Sequence, residues 1–123
     1  MTPFGARMRE LRDRHGVTQK EMAEALQIST AYLSALEHGK RGAPSPMLVR
    51  QICGYFHIIW DEAEELEALA RVSHPKVTVD TAGLSPKATL LANRLAERIA
   101  AVSEPALDRM LGELERVPAR RRR

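Results

Sequence analysis

Residues 18–39 read Thr18-Gln19-Lys20-Glu21-Met22-Ala23-Glu24-Ala25-Leu26-Gln27-Ile28-Ser29-Thr30-Ala31-Tyr32-Leu33-Ser34-Ala35-Leu36-Glu37-His38-Gly39. Thr18 is placed to open a helix as its N-cap, and Glu21 three residues later completes a capping box. Met22, Ala23 and Leu26 recur at helical spacing and form one apolar face. Gln27-Ile28 is a short turn. Ser29 then caps a second helix that carries Leu33 and Leu36 inward, and Gly39 stops it.

The pattern continues on both sides. Phe4, Met8 and Leu11 mark a preceding helix that Gly16 ends. After the loop Lys40-Arg41-Gly42-Ala43-Pro44, Ser45-Pro46 restarts a helix, with proline where its missing N–H costs little. Leu48, Val49, Ile52, Cys53 and Phe56 give that helix a wide apolar stripe. A fifth helix is expected from near Asp61, with acidic residues in its first turns and Ala63, Leu66 and Leu69 facing inward. Trp60 is expected to pack against it.

The 18–39 segment resembles the helix-turn-helix of the Cro/CI-like (xenobiotic-response-element) regulators. Thr18-Gln19, the small Ala23, Ile28-Ser29, Leu33-Ser34 and Glu37 followed by Gly39 sit at that family's spacing. The likeness covers about residues 4–72. It departs at Gln27, where the family usually has glycine, so glutamine must accept the turn conformation. The resemblance implies an all-α chain whose first part is a five-helix, lambda-repressor-like DNA-binding domain. It also implies that Arg12 pairs with Glu37, tying the first helix to the end of the third as a structural contact.

The residue types fit that reading. Two short helices that cross closely need a small residue at the contact, and Ala23 supplies it. With Leu33 and Leu36 inward, Thr30, Ala31 and Ser34 face outward, and all three are short enough to let a helix enter a major groove roughly 12 Å wide. Thr30 and Ser34 carry hydroxyls for base edges, Ala31 a methyl for thymine, and Tyr32 is a further base-contact candidate. None offers the bidentate contact of arginine or asparagine, so DNA shape is expected to share in the specificity. Phosphate contact is expected from Thr18, Gln19, Ser29, His38, Lys40 and Arg41. The alternative for the whole segment is an ordinary helical hairpin in a bundle.

Beyond residue 72 the pattern changes. Residues 73–84 form a linker, in which Lys76-Val77-Thr78-Val79-Asp80 alternates like a short strand. Ser85-Pro86 opens a sixth helix with Ala88, Leu91, Leu95, Ile99 and Val102 on one side. Ser103-Glu104-Pro105 punctuates it, and a seventh carries Leu107, Met110, Leu111, Leu114 and Val117. These stripes need a partner, and residues 85–117 are expected to dimerise. Leu91, Leu95, Ile99, Val102, Leu107, Leu111 and Leu114 would be the contacts, with Val77 and Val79 in an intermolecular ribbon. A two-fold dimer would present two recognition helices about one DNA turn apart and select an inverted repeat. Residues 118–123 are a basic tail, expected to add non-specific phosphate attraction.

Composition sets the bounds. At 123 residues the chain can bury roughly two-thirds of its unfolded surface, enough for a core without metal or disulfide. A single cysteine excludes a disulfide framework and a multi-cysteine zinc site, and Cys53 sits on an apolar face, as a core residue would. The net charge of +3 hides a polarised layout. Residues 1–60 hold eight Lys/Arg against five Asp/Glu, residues 61–72 one against five, and Arg120–Arg123 end the chain.

No membrane span, secretory leader, nucleophile–base pair, metal-ligand spacing or glycine-rich phosphate loop is evident. The sequence therefore points to a cytoplasmic, non-enzymatic regulator without cofactor, a repressor in the simplest case, whose partners are double-stranded DNA and a second copy of itself. The rival class is an interaction protein. It could be an antitoxin whose C-terminal helices bind a partner protein, or an adaptor using the acidic 61–67 face.

Overall fold

Thr2, Thr18, Ser29 and Ser45 each accept a hydrogen bond from the backbone N–H three residues on, and a helix starts behind each of them. The computed structural model describes residues 1–40 and 42–118. Its helices are α1 (Pro3–His15), α2 (Gln19–Leu26), α3 (Thr30–His38), α4 (Pro46–Tyr55), α5 (Trp60–Arg71), α6 (Pro86–Arg98) and α7 (Glu104–Glu115). A 3₁₀ turn over Ile99–Ala101 lies between the last two. Arg41 and residues 119–123, which include most of the expected basic tail, lie outside the described residues.

Two compact units divide between Val77 and Thr78. In the first, α1 packs on α3 and α5, α2 on α3 and α4, and α4 on α5. The core gathers Phe4, Met8 and Leu11 with Met22, Ala23, Leu26, Leu33 and Leu36, and closes over Leu48, Val49, Ile52, Cys53, Phe56 and Leu66. Ile58 and Ala70 complete it, while Ala63 and Leu69 are half-buried. The unit runs beyond the last turn of α5 because Ser73 is buried: its hydroxyl donates to the Leu69 carbonyl and accepts from the Phe4 N–H. That oxygen joins the end of α5 to the start of α1.

The turn between α2 and α3 has the conformation that the missing glycine would favour. Gln27 sits at φ 59°, ψ 41°, in the left-handed region where a side chain costs about 1 kcal/mol. The Ile28 N–H returns to the Ala23 carbonyl and closes the helix end. Gln27→Gly is therefore expected to stabilise the first unit by about 0.5–1 kcal/mol, after allowing for the greater freedom of glycine in the unfolded chain. Urea denaturation checks this; an unchanged or lower midpoint would show that the glutamine is not strained.

Several expectations are corrected. Residues 76–80 form no strand among the described residues, and Val77 and Val79 are exposed; one alternating segment has no neighbouring edge in its own chain to take its backbone hydrogen bonds. The sixth helix ends at Arg98 with Ile99 as its αR cap, the Ile99 N–H still bonded to the Leu95 carbonyl, so Val102 is not on its α-helical stripe. Val102 is already extended, leading into the Ser103 N-cap of α7. Trp60 does not pack: it is 80% exposed, at φ 57° in the first turn of α5.

The described residues of the second unit form no buried core. No residue from Thr78 to Pro118 is buried. Leu95, Val102 and Leu107 are half-buried, whereas Leu91, Ile99, Met110, Leu111 and Leu114 are exposed.

Candidate nucleic-acid interface

Helix α3 is held from behind by one buried carboxylate. Glu37 is 1% exposed, and three groups converge on it. Arg12 donates from Nε to Oε2 at 2.6 Å and from Nη2 to Oε1 at 2.8 Å. Gln19 donates from Nε2 to Oε1 at 3.1 Å. The two-pronged arginine contact is strong because both partners are charged and planar. The bond to Glu37 raises the Arg12 guanidinium above its ordinary pKa although burial opposes it. Arg12 also donates from Nη1 to the Val17 carbonyl at 3.3 Å. Three helices and a turn are thus tied at the last turn of α3.

Close backbone approach fixes the same place. A Cβ on Gly5 would fall 2.8 Å from the Leu36 carbonyl oxygen and closer still to that of Glu37. Gly39, at φ 74°, ends α3 against Thr2. Neither Gly5 nor the Gln19–Glu37 bond is marked by local pattern in the sequence. Both depend on which helices meet.

The opposite side of α3 faces solvent. Thr30, Ala31 and His38 are exposed, Ser34 and Tyr32 half-buried, with Tyr32 packed against the core. Glu37 is the one carboxylate between Thr30 and His38, and it is buried and neutralised, so the outer face of α3 presents no negative charge. Ser29 uses its side chain to cap Tyr32 N–H. His38 Nδ1 lies 2.8 Å from the Ser34 carbonyl oxygen, which requires that nitrogen to be the donor and leaves Nε2 facing away. Lys40 is exposed immediately beyond the helix.

At the start of α2 the side chains are committed within the fold. The Thr18 hydroxyl accepts from the Glu21 N–H and donates to Glu21 Oε1 at 3.0 Å, and the Gln19 amide reaches Glu37. Backbone N–H groups remain the means of meeting an anion there.

Charge is sorted across this unit. On α1, Arg7 and Arg14 pair with Glu65 and Glu62 of α5 at 3.5 and 3.0 Å. That places part of the acidic stretch against arginines. Lys20, Lys40, Arg50, Arg71 and Lys76 form no ion pair among the described residues. Burial pushes the Cys53 thiol above its ordinary pKa, consistent with a packing role. No helix among the described residues is long and apolar enough to cross a membrane.

Comparison with known proteins agrees with this geometry. The family model described as helix-turn-helix domain matches residues 3–66. RghRB of Bacillus subtilis (strain 168), named as an uncharacterised HTH-type transcriptional regulator, is 34% identical over 61 residues, covering 50% of this chain and 44% of that protein. The HTH-type transcriptional repressor RghR of the same organism is 35% identical over 52 residues, 42% of this chain and 38% of its own length. The HTH-type transcriptional regulator PrpR of Mycobacterium tuberculosis (strain ATCC 25618 / H37Rv) is 44% identical over 45 residues, 37% of this chain and 9% of that protein. The matches thus span less than half of each relative. No solved structure matches significantly. The chain belongs to the helix-turn-helix domain family and, in the layout of its first five helices, is a Cro/CI-like member of it.

Proposed function

We propose that this chain is a sequence-specific DNA-binding regulator of transcription, acting as a repressor on an inverted-repeat operator to which it binds as a homodimer. The supporting observation is the outer face of α3: short hydroxyl and methyl side chains at Thr30, Ala31 and Ser34, no exposed carboxylate, and a rigid mounting through Glu37. Such a face suits a groove lined by base edges between two anionic strands. A dimer bound across a promoter occludes it without further machinery, and RghR is named a repressor.

Selection of tight binders from a randomised duplex pool tests the proposal. Inverted repeats with half-site centres about one helical turn apart are the expected product. A pool that shows no enrichment would remove the reading. Placed over a reporter promoter, the selected site is expected to lower expression when the protein is present.

Variants separate the roles assigned to each side chain. Lys40→Ala should weaken binding to all duplexes about equally and reduce the salt slope by about 1. Arg41→Ala is expected to act in the same way. Thr30→Ala or Ser34→Ala should instead change which operator is preferred. Equal behaviour of the two classes in competition binding would contradict the assignment of the outer face.

A second reading, a protein-interaction module such as an antitoxin, draws on the exposed apolar side chains of α6 and α7. It predicts a heterologous protein bound to residues 84–117 in place of a homodimer.

A further inference from the structure

The chain leaving α5 lies beside the exit of α3. One cleft of about 500 Å³ is lined on one side by Gly39, Lys40 and Gly42 and on the other by His74, Pro75 and Lys76. His74 also lines a second cleft of about 480 Å³, floored by Pro44, Val49 and Ala70 and rimmed by Arg50, Arg71 and Glu67. The buried Ser73 hydroxyl, bonded to both Leu69 and Phe4, fixes where this segment begins. His74 and Lys76 are thereby placed next to Lys40.

Charge around the two clefts, which share His74, is one-sided. Lys40, Arg50, Arg71 and Lys76 meet a single carboxylate, Glu67, and none of them forms an ion pair among the described residues. Unpaired cations lining two clefts that share His74 suit a polyanion whose charges repeat, as phosphates do along a strand. The first of these clefts begins where α3 ends, at Gly39 and Lys40.

We infer that Arg71 and Lys76, at and beyond the end of α5, continue the phosphate contacts of Lys40 and make the segment after the helix-turn-helix part of the DNA interface. The inference rests on the DNA-binding reading above and adds Arg71, at the end of the fifth helix, and Lys76, which the sequence had placed in a linker. Phosphate contacts are independent of base sequence, so no operator is needed for the test.

The full chain is titrated with a short labelled duplex of arbitrary sequence, between about 50 and 200 mM salt. Arg71→Gln/Lys76→Gln is expected to flatten the plot of log affinity against log salt by about 2 and to weaken binding at least about tenfold near 0.1 M salt. Lys87→Gln/Arg109→Gln removes as many cations from α6 and α7 and should leave the slope unchanged. The charge-preserving Arg71→Lys/Lys76→Arg should retain the wild-type slope, which guards against a folding artefact.

The inference is overturned if both neutralised pairs flatten the slope equally. It is also overturned if the Arg71/Lys76 pair weakens binding with the slope intact, or leaves binding unchanged while Lys40→Gln alone flattens it. Absence of any salt-dependent duplex binding by the wild-type chain would overturn the DNA-binding reading itself, and this inference with it.

Discussion

Arg12→Ala is expected to remove about 3–5 kcal/mol of folding stability, a large share of the roughly 5–15 kcal/mol typical of a domain. The reason lies in what remains. Glu37 is 1% exposed, and without the guanidinium its carboxylate keeps only the 3.1 Å bond from Gln19. A buried charge with one neutral donor is costly. Arg12→Lys should recover only part of the loss, because an ammonium cannot reproduce the contacts at 2.6 and 2.8 Å. Arg12→Met/Glu37→Leu should be more stable than Arg12→Ala, since it removes the stranded charge as well. Chemical denaturation of the four proteins reads this directly. If Arg12→Ala cost less than about 1 kcal/mol, as surface ion pairs do, Glu37 would not be the anchor of α3.

The second large effect is expected in the C-terminal unit. Leu111 and Leu114 are 53% and 61% exposed on α7, and no residue from Thr78 to Pro118 is buried. Leu107, Met110, Leu111 and Leu114 recur at three- and four-residue spacing, so they share one face. A second copy of this face would cover it, and two-fold pairing would join two copies of α3. Leu111→Asp/Leu114→Asp is therefore expected to convert a dimer into a monomer in sedimentation. Operator affinity should fall by about 10²–10⁴, the advantage of linking two half-site contacts. Thermal stability of the first unit should be unaffected, because these residues lie outside its core. A wild-type chain that sediments as a monomer at micromolar concentration would contradict the assignment.

What the sequence shows and what it hides differ in physical range. Caps at Thr18, Ser29, Ser45, Ser85 and Ser103 are local, each hydrogen bond closing over three residues, and they are legible from residue type alone. The core stripes of α1 to α4 are also legible, because an amphipathic helix must repeat near every 3.6 residues. Trp60 is different. A large aromatic suggests burial by default, yet its positive φ at the start of α5 directs it to solvent. Ser73 shows the converse: a small polar residue in an apparent linker is buried because its hydroxyl bonds both the Leu69 carbonyl four residues back and the distant Phe4 N–H. Gln19 read as an anion contact, and its bond to Glu37 could be seen only once α2 and α3 were placed together. The alternation over 76–80 carried a strand signal that lacked a partner.

The central claim is that the outer face of α3 meets duplex DNA. Backbone amide shifts of the labelled full chain, followed while an operator-containing duplex is added, test it most directly. The account predicts that the largest changes fall on Ser29 to Ser34, on His38 and on Lys40, while core amides such as Ile52 and Leu66 barely move. Changes confined to α6 and α7, with Thr30 and Ser34 undisturbed, would contradict it.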